Sequence, residues 1–255
     1  MRSTDTDEAQ GVRSVQRAFD ILGLLTNTRP AISIAEIVRE TGLAKTTVIR
    51  LVQTLEHNGL LWATTRGYMA GPSLWRWAHL ARATWELPPE IKELMRDLAQ
   101  RQRETVNLYV ARDVWRVCVA QQESPQPLRH VVQVGDELPL WGGASAKVLL
   151  RDAEPALLDR IARGSPHGPD HAATLKDQID ETAVRGYAVS HGEREAGLSA
   201  VAVPVLGRGG SVIAALTLSG PTVRFPDERV EEFAAALTDV SARMTERGFD
   251  HPFQG

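Results

Sequence analysis

"SIAEIVRETGLAKTTVIRLVQTLEHNGLLWATTRGYMAG" (residues 33–71) holds two short helical patterns meeting at a glycine, then an arginine-tipped hairpin. Ser33 with Glu36 three residues later is a capping box, so a helix starts there, with Ile34, Ile37 and Val38 as its apolar face. Gly42 ends it, because glycine takes the left-handed cap at no steric cost. The next helix runs from about Ala44 to His57, and Val48, Leu51, Val52 and Leu55 form its buried stripe. Asn58-Gly59 stops it, and two short strands follow around Thr65-Arg66-Gly67. Upstream, "SVQRAFDILGLLTN" sets Val15, Ala18, Phe19, Leu22 and Leu25 at helical spacing before "NTRPA" breaks the pattern. Three short helices followed by a hairpin make a winged helix-turn-helix.

That arrangement suits double-stranded DNA. With its apolar stripe buried, the third helix projects Lys45, Thr46 and Thr47 from its first turn and Arg50 one turn on. An α-helix fits the major groove, and its N-terminal residues reach base edges. Arg50 suits a guanine edge or a phosphate, while Lys45, Thr46 and Thr47 suit phosphates, which position without specifying. Ser33, at a helix start, suits a phosphate, and Arg66 at the hairpin tip suits a minor groove. Charge agrees: residues 11–85 carry nine Lys/Arg against four Asp/Glu, and residues 86–255 nineteen against twenty-five, within a net charge of -3. A basic first third beside an acidic remainder points to a polyanionic partner for the first third alone.

Across 255 residues, 43% hydrophobic, there is material for two domains. The expected division is a disordered tail (1–10), a winged helix-turn-helix domain (11–71), a linker helix (72–86) and an effector-binding domain (87–250), with "LPPE" at the boundary. Beyond it the pattern reads as a helix to about Arg103, strands at 105–111, 114–121 and 128–134, helices at 144–151, 153–163 and 174–186, a strand at 187–190, two strands joined by "RGG", and a closing amphipathic helix at 226–247. Helices mixed with antiparallel hairpins make an α+β domain. No run approaches the roughly 20 apolar residues that span a bilayer, and "MRSTDTDEAQG" has no apolar signal core. A cytoplasmic protein without membrane contact is expected.

Catalytic and metal patterns are missing from the second domain. Ser145 in "GGASAK" satisfies neither G-x-S-x-G nor S-x-x-K. His130, His167, His171 and His191 lack metal-ligand spacing and read as surface or loop residues, and the single cysteine, Cys118, reads as a buried small hydrophobe. "GRGG" at 207 is a hairpin turn with no helix after it, so it cradles no phosphate. No cofactor is expected. "PLWGGASAKVLL" runs from a strand end through Gly142 and Gly143 into a helix, where the N–H groups of Ala144, Ser145 and Ala146 suit a carboxylate; a plain glycine turn is the alternative.

"SVQRAFDILGLL", the stretch quoted above and "GYMAGPSLWRWA", with "LMRDLAQRQRETVNLYVARD", "GDELPLWGGASAKVLL" and "RGYAVSHGEREAGLSAVAVPVLGRGGSVIAALTLSGP" downstream, resemble the IclR-type bacterial transcription regulators over nearly the whole chain after residue 11. The resemblance implies a winged-helix domain, a linker helix and a GAF-like α/β effector domain, assembled as a homodimer or tetramer on operator DNA. It implies a small organic acid held by the turn at Gly143, Ala144 and Ser145 and by the last-strand hydroxyls Thr217 and Ser219. Ser190 stands where the family has an acidic residue, Ala200 where it has a cysteine, and Trp141 where a histidine is frequent. These departures shift the expected effector towards an acid with an apolar or aromatic body.

The leading expectation is therefore a ligand-responsive repressor of a catabolic operon, not an enzyme. The alternatives are a small-molecule-binding or enzymatic domain whose N-terminal module serves protein interaction, and an architectural DNA binder without sequence choice.

Overall fold

A computed structural model describes residues 12–247. The expected N-terminal tail lies outside them. The chain divides after Thr84 into two compact units.

In the first unit, α1 (Arg13–Gly23), β1 (Ala31–Ile32), α2 (Ile34–Thr41), α3 (Lys45–His57), β2 (Leu61–Thr64) and β3 (Gly67–Ala70) precede α4 (Ser73–Trp85), which runs across the division. The strands form an antiparallel sheet in the order β1-β3-β2. Ile21, Ile32, Ile37, Val48, Val52, Leu55 and Leu61 make the core. Leu51 of the expected stripe is only half-buried. The α1 stripe divides as well: Ala18, Leu22 and Leu25 pack on the core, while Val15 and Phe19 stay exposed. The capping box is present, with Ser33 N donating to Glu36 Oε2 at 2.8 Å and Glu36 N donating to Ser33 Oγ at 3.3 Å. Gly67 has φ +117°, and a Cβ there would sit 2.6 Å from the Ile32 carbonyl, so only glycine lets the hairpin close against β1.

The second unit contains α5 (Pro89–Gln102), β4 (Thr105–Arg112), β5 (Trp115–Gln122), β6 (Glu137–Pro139), α6 (Ala144–Leu149), α7 (Pro155–Arg163), α8 (His171–Arg185), β7 (Ala188–His191), β8 (Leu198–Leu206), β9 (Val212–Pro221), a 3-10 turn (Thr222–Arg224) and α9 (Asp227–Arg247). The six strands form one antiparallel sheet in the order β6-β5-β4-β9-β8-β7. Side chains alternate between its faces. Val106, Leu108, Val201, Val203, Val205, Leu216 and Leu218 pack against α5 and α9. Ala188, Ala202 and Ala215 point the other way, against Ala144 and Val148 of α6. Small residues on that face let α6 lie close to the sheet. Leu140, Leu158, Ile161, Leu175 and Ile179 bind α7 and α8 into a further cluster behind α6.

The expected strand at 128–134 is not formed, and the third strand of this hairpin region is the shorter β6. Apolar alternation in "LRHVVQV" suggests a strand, but only Val132 is buried, against Tyr109 and Cys118, while Leu128, Val131 and Val134 are exposed. Its backbone is met individually instead: the His130 carbonyl accepts from Thr105 Oγ1, and Gly135 N donates to the Cys118 carbonyl. Among the described residues no helix is long and apolar enough to cross a membrane.

Candidate functional site

Two surfaces concern function, one in each unit. In the first, α3 begins at Lys45 with Ala44 as its cap, and Lys45, Thr46 and Arg50 are exposed while Thr47 is half-buried. Burying Val48 and Val52 on the core fixes that orientation. Arg66 is exposed at the β2–β3 turn, held by its N–H donating to Thr64 Oγ1 at 3.2 Å. Among the described residues Lys45, Arg50 and Arg66 form no ion pair, whereas Arg29 and Arg39 are paired with Glu40. These three cations are therefore available to a polyanion. Ser33 is different. Its hydroxyl donates to Glu36 Oε2 at 2.6 Å and accepts from Glu36 N. These hydrogen bonds hold the Glu36 carboxyl below its usual range. A carboxylate therefore already stands at the helix start where a phosphate was expected.

In the second unit one cavity, with about 410 Å³ of empty space including its mouth, is lined by Gly143, Ala144, Ser145, Ser190, Ala200, Thr217 and Ser219 together. Strand register explains the convergence. Ser190 pairs with Ala200 and Ala200 with Ser219, so the three stand in a row across β7, β8 and β9, on the face towards α6. Thr217, two residues from Ser219, opens the next row opposite Asn107 of β4. Asn107 Nδ2 donates to Ser219 Oγ at 3.2 Å, and Thr217 Oγ1 and Asn107 Oδ1 are buried without partners.

Trp141 does not join them. It lines a neighbouring groove with His167, Asp170 and His171. Its ring meets His167 edge-on at 5.6 Å, and its carbonyl accepts from His171 Nε2 at 2.6 Å. The reason is the turn: Gly142 and Gly143 reverse the chain after Trp141, so residues 144 and 145 face the sheet while residue 141 packs towards α7 and α8.

The cavity also holds Tyr109, Arg116, Glu193, Arg194 and Glu195, which the sequence did not single out, and His130, which it gave no role in binding. His130 does stand in a loop, between β5 and β6, but it is half-buried there and turned into the cavity. Its Nδ1 lies 3.1 Å from Ser219 Oγ, and burial, then the nearby Arg194, push its pKa down. Glu193 joins two parts of the site, accepting from Gly143 N at 2.8 Å and Lys147 Nζ at 2.6 Å. The Gly143 amide is thereby used, and the Ala146 amide donates to the Gly143 carbonyl at 3.1 Å. The signal in the sequence was a lone arginine inside an apolar strand, "VWRVCVAQ", and a charged "GERE" loop between strands. Cys118, fully buried, has its thiol pushed up to about 12 by burial, so it is unreactive. Among the described residues no cluster of side chains suits a metal ion.

A winged helix-turn-helix unit followed in the chain by an α+β unit with a polar pocket is the architecture of a DNA-binding regulator. The chain matches the IclR helix-turn-helix domain over residues 14–62 and the bacterial transcriptional regulator IclR C-terminal domain over residues 83–245, and it belongs to the IclR family of transcription regulators. It is 30% identical to the HTH-type transcriptional regulator KdgR of Escherichia coli, over 99% of this chain and all of that one. A solved IclR-family structure from Rhodococcus sp. is 40% identical, covers 98% of both chains and superposes with a TM-score of 0.64. An IclR homolog from Microbacterium hydrocarbonoxydans, solved with 4-hydroxybenzoate, shares the fold at 21% identity, over 91% of this chain and 100% of that one, with a TM-score of 0.65. The chain is thus a DNA-binding transcription regulator and not an enzyme.

Proposed function

We propose that this regulator represses a catabolic operon, and that a small organic acid entering the cavity of the second unit changes its hold on operator DNA. The observation that carries the reading is the meeting of Ser190, Ala200, Thr217 and Ser219 with the turn at Gly143–Ser145 around one cavity. An acid fits a lining with cationic and hydroxyl donors, and the fold neighbour with 4-hydroxybenzoate holds an aromatic acid. Of the three departures behind the expected apolar body, Ser190 and Ala200 line the cavity while Trp141 lines another groove; Leu138, Leu198 and Tyr109 are the cavity's large apolar surfaces. A compact acid is therefore favoured over a bulky one.

Lys45, Thr46, Thr47, Arg50 and Arg66 are the DNA contacts in this reading, acting from a cytoplasmic homodimer or tetramer. Ser33 serves first as a helix cap. Repression is the simpler sense, since occupying an operator is enough to exclude polymerase. The effector acts by binding one dimer arrangement better than another. A gel shift against the DNA upstream of its own gene, with a panel of acids, tests all of this. A retarded band that one acid alters is expected. No sequence preference over random duplex, at any salt concentration, defeats the reading.

A further inference from the structure

The cavity contains a buried cation that forms no ion pair among the described residues. Arg116 comes from β5 and is 4% exposed. Its Nη1 donates to the Pro139 carbonyl at 2.6 Å and the Gly142 carbonyl at 2.8 Å. Those bonds orient the guanidinium but do not neutralise it. Nε is buried with no partner, and Nη2 makes no hydrogen bond among the described residues. Gly143 makes room for it: a Cβ there would sit 2.9 Å from Nη2. Burial lowers the guanidinium pKa to about 10, with Arg194 adding to the shift and Tyr109, whose ring lies 5.7 Å from Cζ, and Glu193 opposing it.

The other charged groups around the cavity are matched. Lys147 is paired with Glu193 at 2.6 Å, and Arg194 lies 3.8 Å from Glu195. Arg116 has no carboxylate within ion-pair distance among the described residues. One positive charge is left over. A buried charge without a partner is costly, and a ligand that supplies the partner removes that cost on binding.

We propose that Arg116 anchors the effector's carboxylate through its free Nε–Nη2 edge, and that the effector carries a single negative charge. This rests on the acid-effector reading above and narrows it. The Nε–Nη2 edge is a planar pair of donors that matches the two oxygens of a carboxylate. A second anionic group would leave the cavity with an unmatched negative charge. Beyond the carboxylate, Thr217 Oγ1, buried without a partner among the described residues, and the Ser190 hydroxyl call for a neutral polar substituent such as a hydroxyl or oxo group. The ligand class is a compact monocarboxylic acid bearing one such group.

The test uses the full chain, thermal denaturation and calorimetry. The probes are pyruvate, 3-hydroxybutyrate and 4-hydroxybenzoate, set against malonate, succinate and terephthalate and against the amides of the first three. Monocarboxylates are expected to raise the wild-type Tm more than dicarboxylates or amides. Arg116→Gln keeps a donor for the two carbonyls but loses the charge, and should weaken monocarboxylate binding roughly 10- to 100-fold. Arg116→Lys keeps the charge without the planar pair and should fall between. Equal monocarboxylate affinity in Arg116→Gln and wild type overturns the anchor while leaving the acid reading standing. Tighter dicarboxylate binding overturns the single charge. If no acid of either class binds at millimolar concentration, or only the amides do, the acid reading itself falls and the anchor falls with it. Should Arg116→Gln not fold, Arg116→Lys decides: monocarboxylate affinity equal to the wild type overturns the guanidinium anchor.

Discussion

Lys147 and Glu193 form a salt bridge of 2.6 Å beside the cavity, with the lysine 8% exposed and the glutamate 27%. The lysine also donates to the Val189 carbonyl at 2.9 Å, and the second glutamate oxygen takes the Gly143 amide. One carboxylate therefore ties the 192–197 loop to the start of α6. Removing one partner of such a pair leaves a buried charge uncompensated, which costs more than the pair itself contributes. Glu193→Gln should destabilise the protein by about 1–3 kcal/mol in urea unfolding. Adding Lys147→Met should recover a good part of that loss. A double variant as unstable as the sum of the two singles would show that the two residues are not coupled.

Gly143 carries φ +99°, and its missing Cβ is the space beside Arg116 Nη2. Gly143→Ala meets both a strained backbone and a close contact, for roughly 1–3 kcal/mol of lost stability. The damage should stay within the second unit: Tm and acid binding fall, while non-specific DNA affinity is retained. Equal loss of both would place the effect elsewhere.

For the first unit, Arg50→Ala should cost about 1–3 kcal/mol in operator affinity and relax base preference if the guanidinium reads a base. Lys45→Ala should weaken specific and non-specific binding alike and lower the salt slope by about 1. Fluorescence anisotropy over a salt series separates the two. Unchanged affinity in both variants removes α3 from the interface.

His130 gives the pocket a pH dependence. Burial lowers its pKa from 6.5, so the folded state binds fewer protons than the unfolded one as pH falls. Stability is then complete above pH 6.5 and declines as pH drops from there through the folded-state value. His130→Gln should remove this decline between neutral and mildly acidic pH. Tm measured against pH in both proteins checks it, and parallel curves would rule the histidine out.

The first unit was readable because its signals are local. The capping box, the Gly42 cap and the alternation of Val48, Val52 and Leu55 each act within a few residues. The row Ser190–Ala200–Ser219 was found only through family resemblance, since it depends on the pairing of three strands. Arg116 and His130 escaped for the same reason. Arg116 has only a weak local signal, a lone arginine in an apolar strand, and His130 has none; what each one faces is set by segments that meet at a distance in sequence. Trp141 shows the converse. Family resemblance placed it with the pocket, at a position where a histidine is frequent, but the turn through Gly143 at positive φ sends it to a neighbouring groove.

Oligomeric state turns on Trp75. It is 80% exposed on α4, and Trp77 of the same helix is 57% exposed. Trp62, Met69 and Leu74 line one apolar groove with Trp75, so the residue is not isolated. The groove it shares with its own winged helix leaves most of the Trp75 side chain uncovered. Contiguous apolar surface of this kind marks an interaction site, and tryptophan is among the residues that dominate such interfaces. Helix-turn-helix dimers read paired half-sites, so a second copy would serve both ends: it covers the aromatic face and supplies the second α3. Trp75→Ala is therefore expected to weaken self-association by about 2 kcal/mol or more, roughly thirtyfold, and to lower operator affinity in proportion. Light scattering on wild type and variant across micromolar concentrations reads the first effect, and anisotropy the second. A wild-type monomer that binds its operator with full affinity would sink the dimer proposal.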